Sequence, residues 1–572
     1  MPLTAEKKIL SFIKDNSVKL STVSGVFTTK PELIVLADRI FPALDFITSK
    51  SYQILPNPGN REPIIAEASP GCYGNAVGLR NPGMEKGVAE LRQIKKGLSK
   101  YLIVSLSAST PEDFITLVKK FAPVSDIMEL NFSCPHAAQG YGASIGSSAA
   151  VVKFFMEKIR KATVKLLFPK LTPNTADVGA VAAAAVAAGA DGLVAINTVG
   201  PEVYYEPHSG KPILANPPEH KGGKSGLWIK ERALTVIKEI RKKVGSGIPL
   251  IGMGGVATGK DVAAFRAAGA DVVGVGSSLA RVSMTGRAGY LTGLKQDAVN
   301  ATATAERYLC SKPLARYRHF KITRIIDKTD TLRIMETAGR IDYEPGQFAF
   351  LWLPELPAEK PFALACNNPL TFLIRKKAYD KARGRGLVTH ALFQLKKGDE
   401  LFMRGPYSKG APVPDKKNAF IIAGGSGMAI VPSLVKKLFH AGIAVKVYAG
   451  VTTEEEVVFN ELIRPFAGYY PVADQGKKGR VIDRMEADLQ QIKPAAAVCY
   501  NIGPVALMSR AAACQHKHGV HNSAIFFSLE TYTMCGIGIC GECVCGGKLT
   551  CMEGTFVSKK YLDENHIDPA AL

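Results

Sequence analysis

The first 300 residues alternate short β-rich runs with stretches long enough for a helix, and this alternation limits the fold more than any other feature of the chain. The runs TVSG, FITSK, LIVSLS, IMELNFS, VKLLF, LVAINT, PLIGMGG and VVGVGSS stand near residues 22, 46, 102, 127, 164, 193, 249 and 272. Parallel neighbours need crossovers of a dozen or more residues, which helices supply. Eight such units in one block predict an α/β fold of the (β/α)8 barrel type. A ninth run, IIAEA at 64–68, is read as an insertion after the second barrel strand, and a doubly wound sheet is the alternative fold. The longest nearly apolar run, Val178 to Ala190, has 13 mostly alanine residues. That is too short to span a bilayer and predicts a buried helix.

Beyond the barrel the pattern changes. Tyr317 to Arg404 carries FKITRI, TLRIM, QFAFLWL, TFLIR and ELFMR between polar turns, which predicts a small antiparallel β-barrel. From Lys416 to about Phe527 the strand–glycine–helix order returns, opening with AFIIAGGSGMAIVPSLVKKL. The predicted domains are therefore 1–310, 317–410, 416–527 and 528–572. The formal charge of +22 is dispersed, with no dense basic tail or arginine-rich helix. That argues against nucleic acid as a partner and predicts a basic surface around anionic small molecules. The first twenty residues hold charges and no long apolar core, so no signal peptide or membrane segment is expected. Five of the 11 cysteines crowd into 535–551, a spacing that suits metal ligation in the cytoplasm better than a disulfide scaffold.

That stretch reads CGIGICGECVCGGKLTC. Cys535, Cys540 and Cys543 have the C-x4-C-x2-C spacing, and Cys551 follows after seven residues. Glycines 536, 538 and 541 permit a tight loop whose N–H groups face sulfur, the arrangement that tunes an iron–sulfur cluster. Four thiolates at this spacing predict a plant-type [2Fe–2S] site. Zinc is the alternative, although zinc sites favour paired C-x2-C knuckles. Cys545, two residues past Cys543, competes with it as a ligand.

Gly424, Gly425 and Gly427 follow a β-run and precede a helix, where a phosphate can meet the helix N-terminus. The same glycines also suit a plain tight turn. Their place after a small β-barrel resembles the ferredoxin reductase superfamily, whose barrel binds FAD and whose α/β domain binds a nicotinamide. With the cysteine segment, residues 315–560 resemble the electron-transfer subunit of the NAD-dependent dihydroorotate dehydrogenases. The resemblance is carried by GLVTHALFQLKKGDELFMRGP at 386–406, the GGSG stretch and SLETYTMCGIGICGECVC at 528–545. It implies FAD contacts at Lys360, Pro361, Gly386 and Thr389. Two departures stand out. The flavin motif Arg-Pro-x-Ser appears as Lys360-Pro361-Phe362-Ala363, and Cys-Gly-Pro near the nicotinamide appears as Ile502-Gly503-Pro504. They put the terminal acceptor in question more than the fold.

Polar residues recur where barrel strands end: Lys50, Asn131, Cys134, Lys165 and Asn197. Buried strand ends tolerate such side chains only with partners, and the C-terminal rim is where a barrel carries its chemistry. Singly, each has a structural explanation: Cys134 as a small core residue, Asn197 as a turn cap. Together they predict a site.

These residues resemble the soluble dihydroorotate dehydrogenases over about 18–295, through ITSKS (47–51), NAVGLRNPG (75–83), NFSCPH (131–136), VKL (164–166), INT (196–198), GGKSG (222–226), IGMGG (251–255) and GVGSS (274–278). The resemblance implies FMN held at Gly226, Gly254, Gly255, Gly276, Ser277 and Ser278. Lys50 and Lys165 would contact the flavin. Asn75, Asn131 and Asn197 would hold the pyrimidine, with Ser133 and His136 in the same loop as Cys134, the general base. The implied reaction oxidises dihydroorotate to orotate in pyrimidine biosynthesis, electrons passing from FMN to [2Fe–2S] to FAD to NAD. A homodimer of the fused chain follows by analogy. His136 departs from the asparagine usual there and resembles dihydropyrimidine dehydrogenase, which acts on uracil and thymine; NAVGLRNPG favours dihydroorotate.

Overall fold

The structure is a computed structural model. It describes residues 4–132, 145–216, 218–356, 358–380, 386–473 and 480–571. They divide into two compact units. The first comprises residues up to Tyr205, Pro212–Ala315 and the short segment Ile537–Glu542; the second holds the remainder. Among the described residues no helix is long and apolar enough to cross a membrane.

In the first unit the strands are β1 (Leu20–Thr22), β2 (Leu44–Tyr52), β3 (Ile65–Ser69), β4 (Cys72–Asn75), β5 (Tyr101–Leu106), β6 (Ile127–Asn131), β7 (Leu166–Leu171), β8 (Leu193–Ala195), β9 (Val199–Val203), β10 (Lys221–Gly226), β11 (Leu250–Met253) and β12 (Val272–Val275). Eight of them close a parallel barrel in the order β1-β12-β11-β8-β7-β6-β5-β2. All eight correspond to the runs picked out in the sequence. Strands such as β11 and β12 are apolar without alternation because both their faces are buried. The run at 64–68 is β3, and it lies outside the barrel in an antiparallel sheet of order β3-β4-β10-β9.

Helices start where the sequence provides caps. Thr110 accepts from the Asp113 N–H at 3.1 Å, with Pro111 in the first turn and acidic residues behind it. The alanine-rich run forms the helix Val178–Ala187, capped by Asp177 and buried along Val178, Val181, Ala182 and Ala185. A helix at the start of the chain, Ala5–Lys14, closes one end of the barrel. Its Ile9 and Ile13 join Phe46, Ile103, Ile127 and Leu166, residues near the beginnings of their strands. The N-terminal end is thus sealed with apolar side chains, and polar groups collect at the other.

The second unit begins with β13 (Arg318–Thr329), β14 (Leu332–Thr337), β15 (Phe348–Trp352), β16 (Glu359–Asn367), β17 (Leu370–Arg375) and β18 (Glu400–Tyr407). They close an antiparallel barrel in the order β13-β14-β17-β16-β15-β18. The sequence pattern had supplied five of these strands and missed β16, because Pro361 breaks its alternation. Pro361 falls where β16 pairs with β15 and before the Leu364–Asn367 stretch that pairs with β17, so its missing N–H leaves no gap in the latter ladder.

Next come β19 (Asn418–Gly424), β20 (Ala444–Val451), β21 (Gly468–Ala473), β22 (Ala497–Ile502), β23 (Ile525–Ser528), the two-residue pair β24 (Val544–Cys545) and β25 (Lys548–Leu549), and β26 (Phe556–Ser558). Their main sheet runs β21-β20-β19-β22-β23-β26. This corrects the expectation of a separate C-terminal module. β26 pairs antiparallel with β23 and completes the α/β sheet, and Val557 and Leu562 enter its core. Ile537–Glu542 belongs to the first unit.

The second unit also buries a full ion pair. Arg404 and Glu359 are both wholly inaccessible, with Nε–Oε2 at 2.8 Å, and the Tyr317 hydroxyl donates to the same carboxylate at 2.6 Å. Arg404 further donates to the Met534 and Cys535 carbonyls at 3.0 and 2.7 Å. The carboxylate beside it holds the guanidinium in its charged form. Removing one partner would strand the other in an apolar interior. Arg404→Met is expected to destabilise this unit by about 3–5 kcal/mol. Urea unfolding, followed by the fluorescence of the adjacent Trp352, measures the loss.

Candidate active site at the mouth of the first barrel

β2 reaches the barrel mouth with a bulge. Thr48 pairs with Ile103 and Ser51 with Ser105, so three residues on β2 advance against two on β5. The extra residue re-aims the strand end that carries Lys50. Lys50 is buried, and burial pulls its ammonium down to about 8, opposed by the Glu542 carboxylate 3.8 Å away.

A chain of hydrogen bonds links the other strand ends. Asn197 donates to the Asn131 carbonyl at 3.4 Å, and Asn131 donates to the Ser51 hydroxyl at 3.3 Å. Ser51 and Ser105 share a hydrogen bond of 2.9 Å, and Ser105 donates to Glu129 at 2.8 Å. Glu129 pairs with Lys170 at 3.7 Å, and Lys170 stands beside Asn131 in the β6–β7 register. Asn75 ends β4 and donates across to the Gly223 carbonyl and the Ser225 hydroxyl on β10, at 3.1 and 3.0 Å. Such a network holds amides and an ammonium in fixed orientation at a buried rim.

Lys165 does not join them. It precedes β7, at the opposite end of the barrel, and pairs with Glu6 of the sealing helix at 3.6 Å. The lysine at the functional end of that strand is Lys170, which is 5% exposed. Its signal was present in FPKL, five residues further on, where a six-residue strand ends. Ser133, Cys134 and His136 lie outside the described residues.

Beside the network is a narrow cleft lined by Gly71, Gly226, Leu227, Gly255, Val256, Ser277, Ser278 and Arg281. Gly254 and Gly276 stand next to it in the chain, after β11 and β12. Gly226 and Gly255 have φ of +97° and +81°, and a Cβ at Gly226 would come within 2.0 Å of the Gly71 carbonyl. Only a backbone without side chains leaves this cradle open, and Arg281 adds a cation. The donor set fits a phosphate such as that of FMN.

In the second unit the GGSG turn ends β19, at the point where the strand order reverses toward β22. A Cβ on Gly427 would meet Gly503 at 2.9 Å, so this turn and the one after Ile502 pack directly together. Gly424 and Gly425 lead into the turn. Arg375, not anticipated from sequence, reaches it from β17. Its Nη1 pairs with Glu456 at 2.8 Å while its Nε is buried with no hydrogen-bond partner among the described residues. A half-satisfied guanidinium at a topological switch point fits a dinucleotide. Lys360 and Pro361 lie on β16, with the Lys360 ammonium 5.9 Å from the Tyr532 ring. Gly386 precedes the helix Leu387–Leu392, and the Thr389 hydroxyl donates back to its carbonyl at 3.0 Å.

Cys535, Cys543 and Cys551 are buried. The Cys535 and Cys543 sulfurs hydrogen-bond to Cys551 and, with burial, push its thiol well up. Two thiols beside that of Cys551, on a loop whose Gly536, Gly538 and Gly541 have φ near +75°, are a donor set of the kind that suits a metal cluster. Cys540 is buried too, on the segment that belongs to the first unit. Cys545 packs in the apolar core of the α/β sheet with Phe527 and Val557.

A profile of the dihydroorotate dehydrogenase family matches residues 19–286. The catalytic subunit of dihydroorotate dehydrogenase B (NAD(+)) from Methanocaldococcus jannaschii is 39% identical over 236 residues, 41% of this chain and 74% of that one. The chain belongs to the dihydroorotate dehydrogenase family. The corresponding subunits of Pyrococcus abyssi and Methanothermobacter thermautotrophicus are 37% and 36% identical, over 46% and 41% of this chain and 83% and 74% of theirs. A solved structure from work on an NADH-dependent reduced ferredoxin–NADP oxidoreductase covers 46% of this chain and 94% of its own, at 21% identity and a TM-score of 0.38. A likeness that loose fixes neither fold nor function.

Membership makes the barrel an enzymatic domain of dihydroorotate dehydrogenase type and gives Lys170 of β7 and Lys165 just before that strand distinct expectations. Lys170→Met is expected to lower substrate-dependent flavin reduction at least tenfold, whereas Lys165→Met leaves it within a factor of two. Stopped-flow absorbance of the two variants checks both.

Proposed function

We propose that the chain oxidises dihydroorotate to orotate at the first barrel and delivers the electrons to NAD through its second unit. The observation that carries this is the linked strand-end network of Asn131, Asn197, Ser51, Glu129 and Lys170, beside a glycine cradle suited to FMN phosphate. Family membership supports the reaction class.

The oxidation removes a hydride from C6 and a proton from C5 of the ring. When bound, FMN supplies hydride acceptance, a [2Fe–2S] cluster passage of single electrons, and FAD delivery of electron pairs to NAD. Asn75, Asn131 and Asn197 hydrogen-bond the pyrimidine and set which face it presents. Lys50 and Lys170 are buried cations at strand ends, where they stabilise negative charge on an electron-rich ring edge. Cys134 takes the C5 proton as general base, and Ser133 and His136 complete its loop.

In the second unit Lys360, Pro361, Gly386 and Thr389 hold FAD, and Gly424, Gly425, Gly427 and Arg375 receive the dinucleotide. Cys535, Cys540, Cys543 and Cys551 ligate the cluster. The acceptor is the least direct part of the reading, because Ile502 is buried in the apolar core and offers no polar atom.

The test is anaerobic mixing of the purified chain with dihydroorotate, dihydrouracil and NADH in turn, following the flavin and iron–sulfur bands. Rapid bleaching by dihydroorotate and by NADH is expected. Bleaching by dihydrouracil alone would overturn the substrate and make His136 decisive. Response to dihydroorotate without NADH would overturn the acceptor. Cys551→Ser is expected to abolish the iron–sulfur absorbance while leaving flavin reduction by dihydroorotate within twofold, read in the same cell.

A further inference from the structure

Three cations of the first unit converge on one carboxylate. Glu542 Oε2 lies 3.2 Å from Arg80 Nε and 3.4 Å from Lys30 Nζ, and its Oε1 lies 3.8 Å from Lys50 Nζ. The Glu542 side chain is only 5% exposed. It sits between Cys540 and Cys543, in the middle of the cysteine segment, yet nearly 500 residues from Lys50 in sequence.

The backbone around it is held with equal care. Phe27 N–H donates to the Ile539 carbonyl at 2.6 Å, the Thr29 hydroxyl to the Cys540 carbonyl at 2.8 Å, and Arg287 to the Gly538 carbonyl at 3.0 Å. Arg287 is itself fully buried. A Cβ on Gly541 would lie 2.0 Å from the Thr29 hydroxyl, so the chain before Glu542 has no room to shift. Three consecutive carbonyls are fixed, and the carboxylate follows two residues later.

We propose that Glu542 is a positioning residue for the barrel chemistry: it fixes the Lys50 ammonium at the strand end and sets the net charge there. This rests on the reading of the barrel as an FMN site. Without Glu542 the group Lys30, Lys50 and Arg80 would carry three positive charges around one buried position, and with it two. The remaining excess favours an anionic partner, and the carboxylate limits that excess so that electrons are held beside Lys50 without being trapped. The same residue stands between two of the cysteines in the chain.

The test uses the intact chain with its flavins and cluster, in anaerobic redox titration of the barrel flavin. Removing a negative charge favours the electron-rich form and removing a positive charge disfavours it. Glu542→Gln is expected to raise the reduced-to-oxidised ratio at fixed potential about tenfold, the size of one unit charge acting over roughly 10 Å with partial screening. Lys30→Met, at a more exposed position, is expected to lower that ratio by about threefold. Glu542→Asp should restore a ratio within twofold of the parent. A role confined to stapling the loop would change stability and leave these ratios alone.

Unchanged ratios in both Glu542→Gln and Lys30→Met would overturn the proposal, and so would shifts of the same sign. If Glu542→Gln does not fold, Lys30→Met decides by itself. A parent chain that neither retains FMN nor bleaches with dihydroorotate overturns the FMN reading instead, before any variant is compared.

Discussion

A parallel barrel buries both faces of every strand, so a polar side chain inside it must either find a partner or open to a ligand. The rest of this chain's first unit follows from that constraint. Ile9 and Ile13 of the opening helix seal the end where the strands begin. Polar groups therefore gather at the other end, and there they are linked one to the next, from Asn197 through Asn131, Ser51 and Ser105 to Glu129 and Lys170. The antiparallel insertion built from β3, β4, β9 and β10 adds Asn75 and the Gly226 cradle at the same rim.

The architecture was largely legible because it is written in periodicity. Eight runs correspond to eight barrel strands, and the glycine-rich ends of β10, β11 and β12 meet in one cleft. What escaped was local in two cases and distant in two. Lys165 was taken for Lys170 because a continuous apolar run does not show where its strand starts. Strand β16 was hidden by Pro361, which a strand accepts only where one side of it needs no hydrogen bond. Arg375 and Glu542 were invisible for another reason. Each takes its meaning from partners remote in sequence, Glu456 for the one and Lys30, Lys50 and Arg80 for the other.

The buried pair Arg404–Glu359 raises the same question of partners in the second unit. Burying two charges is rarely a net gain against apolar packing, so its presence is better explained by what else it holds. Arg404 also donates to the carbonyls of Met534 and Cys535 and to the Tyr407 hydroxyl, and lies 3.9 Å from the Phe350 ring. A hydrophobic replacement could fill the space but could not grip a backbone that has just left β23 and is about to form the cysteine loop.

That loop is a physical problem in itself. Gly536, Gly538, Gly541, Gly546 and Gly547 all have positive φ, and so many glycines cost more backbone entropy on ordering than any other residues would. The cost is met by anchoring the segment at separate points. Its start is gripped by Arg404 of the second barrel. Its middle is fixed by Phe27, Thr29 and Arg287 and by the Glu542 carboxylate. Its end is held through Thr550, whose N–H and hydroxyl both reach the Cys543 carbonyl, and through Ser408, whose N–H donates to the Cys551 carbonyl at 2.8 Å. A thiol cage needs its sulfurs placed to within a fraction of an ångström, and a flexible glycine loop cannot do that alone. All of these anchors belong to a single polypeptide. The cysteine segment is held by the surrounding fold at each of these points.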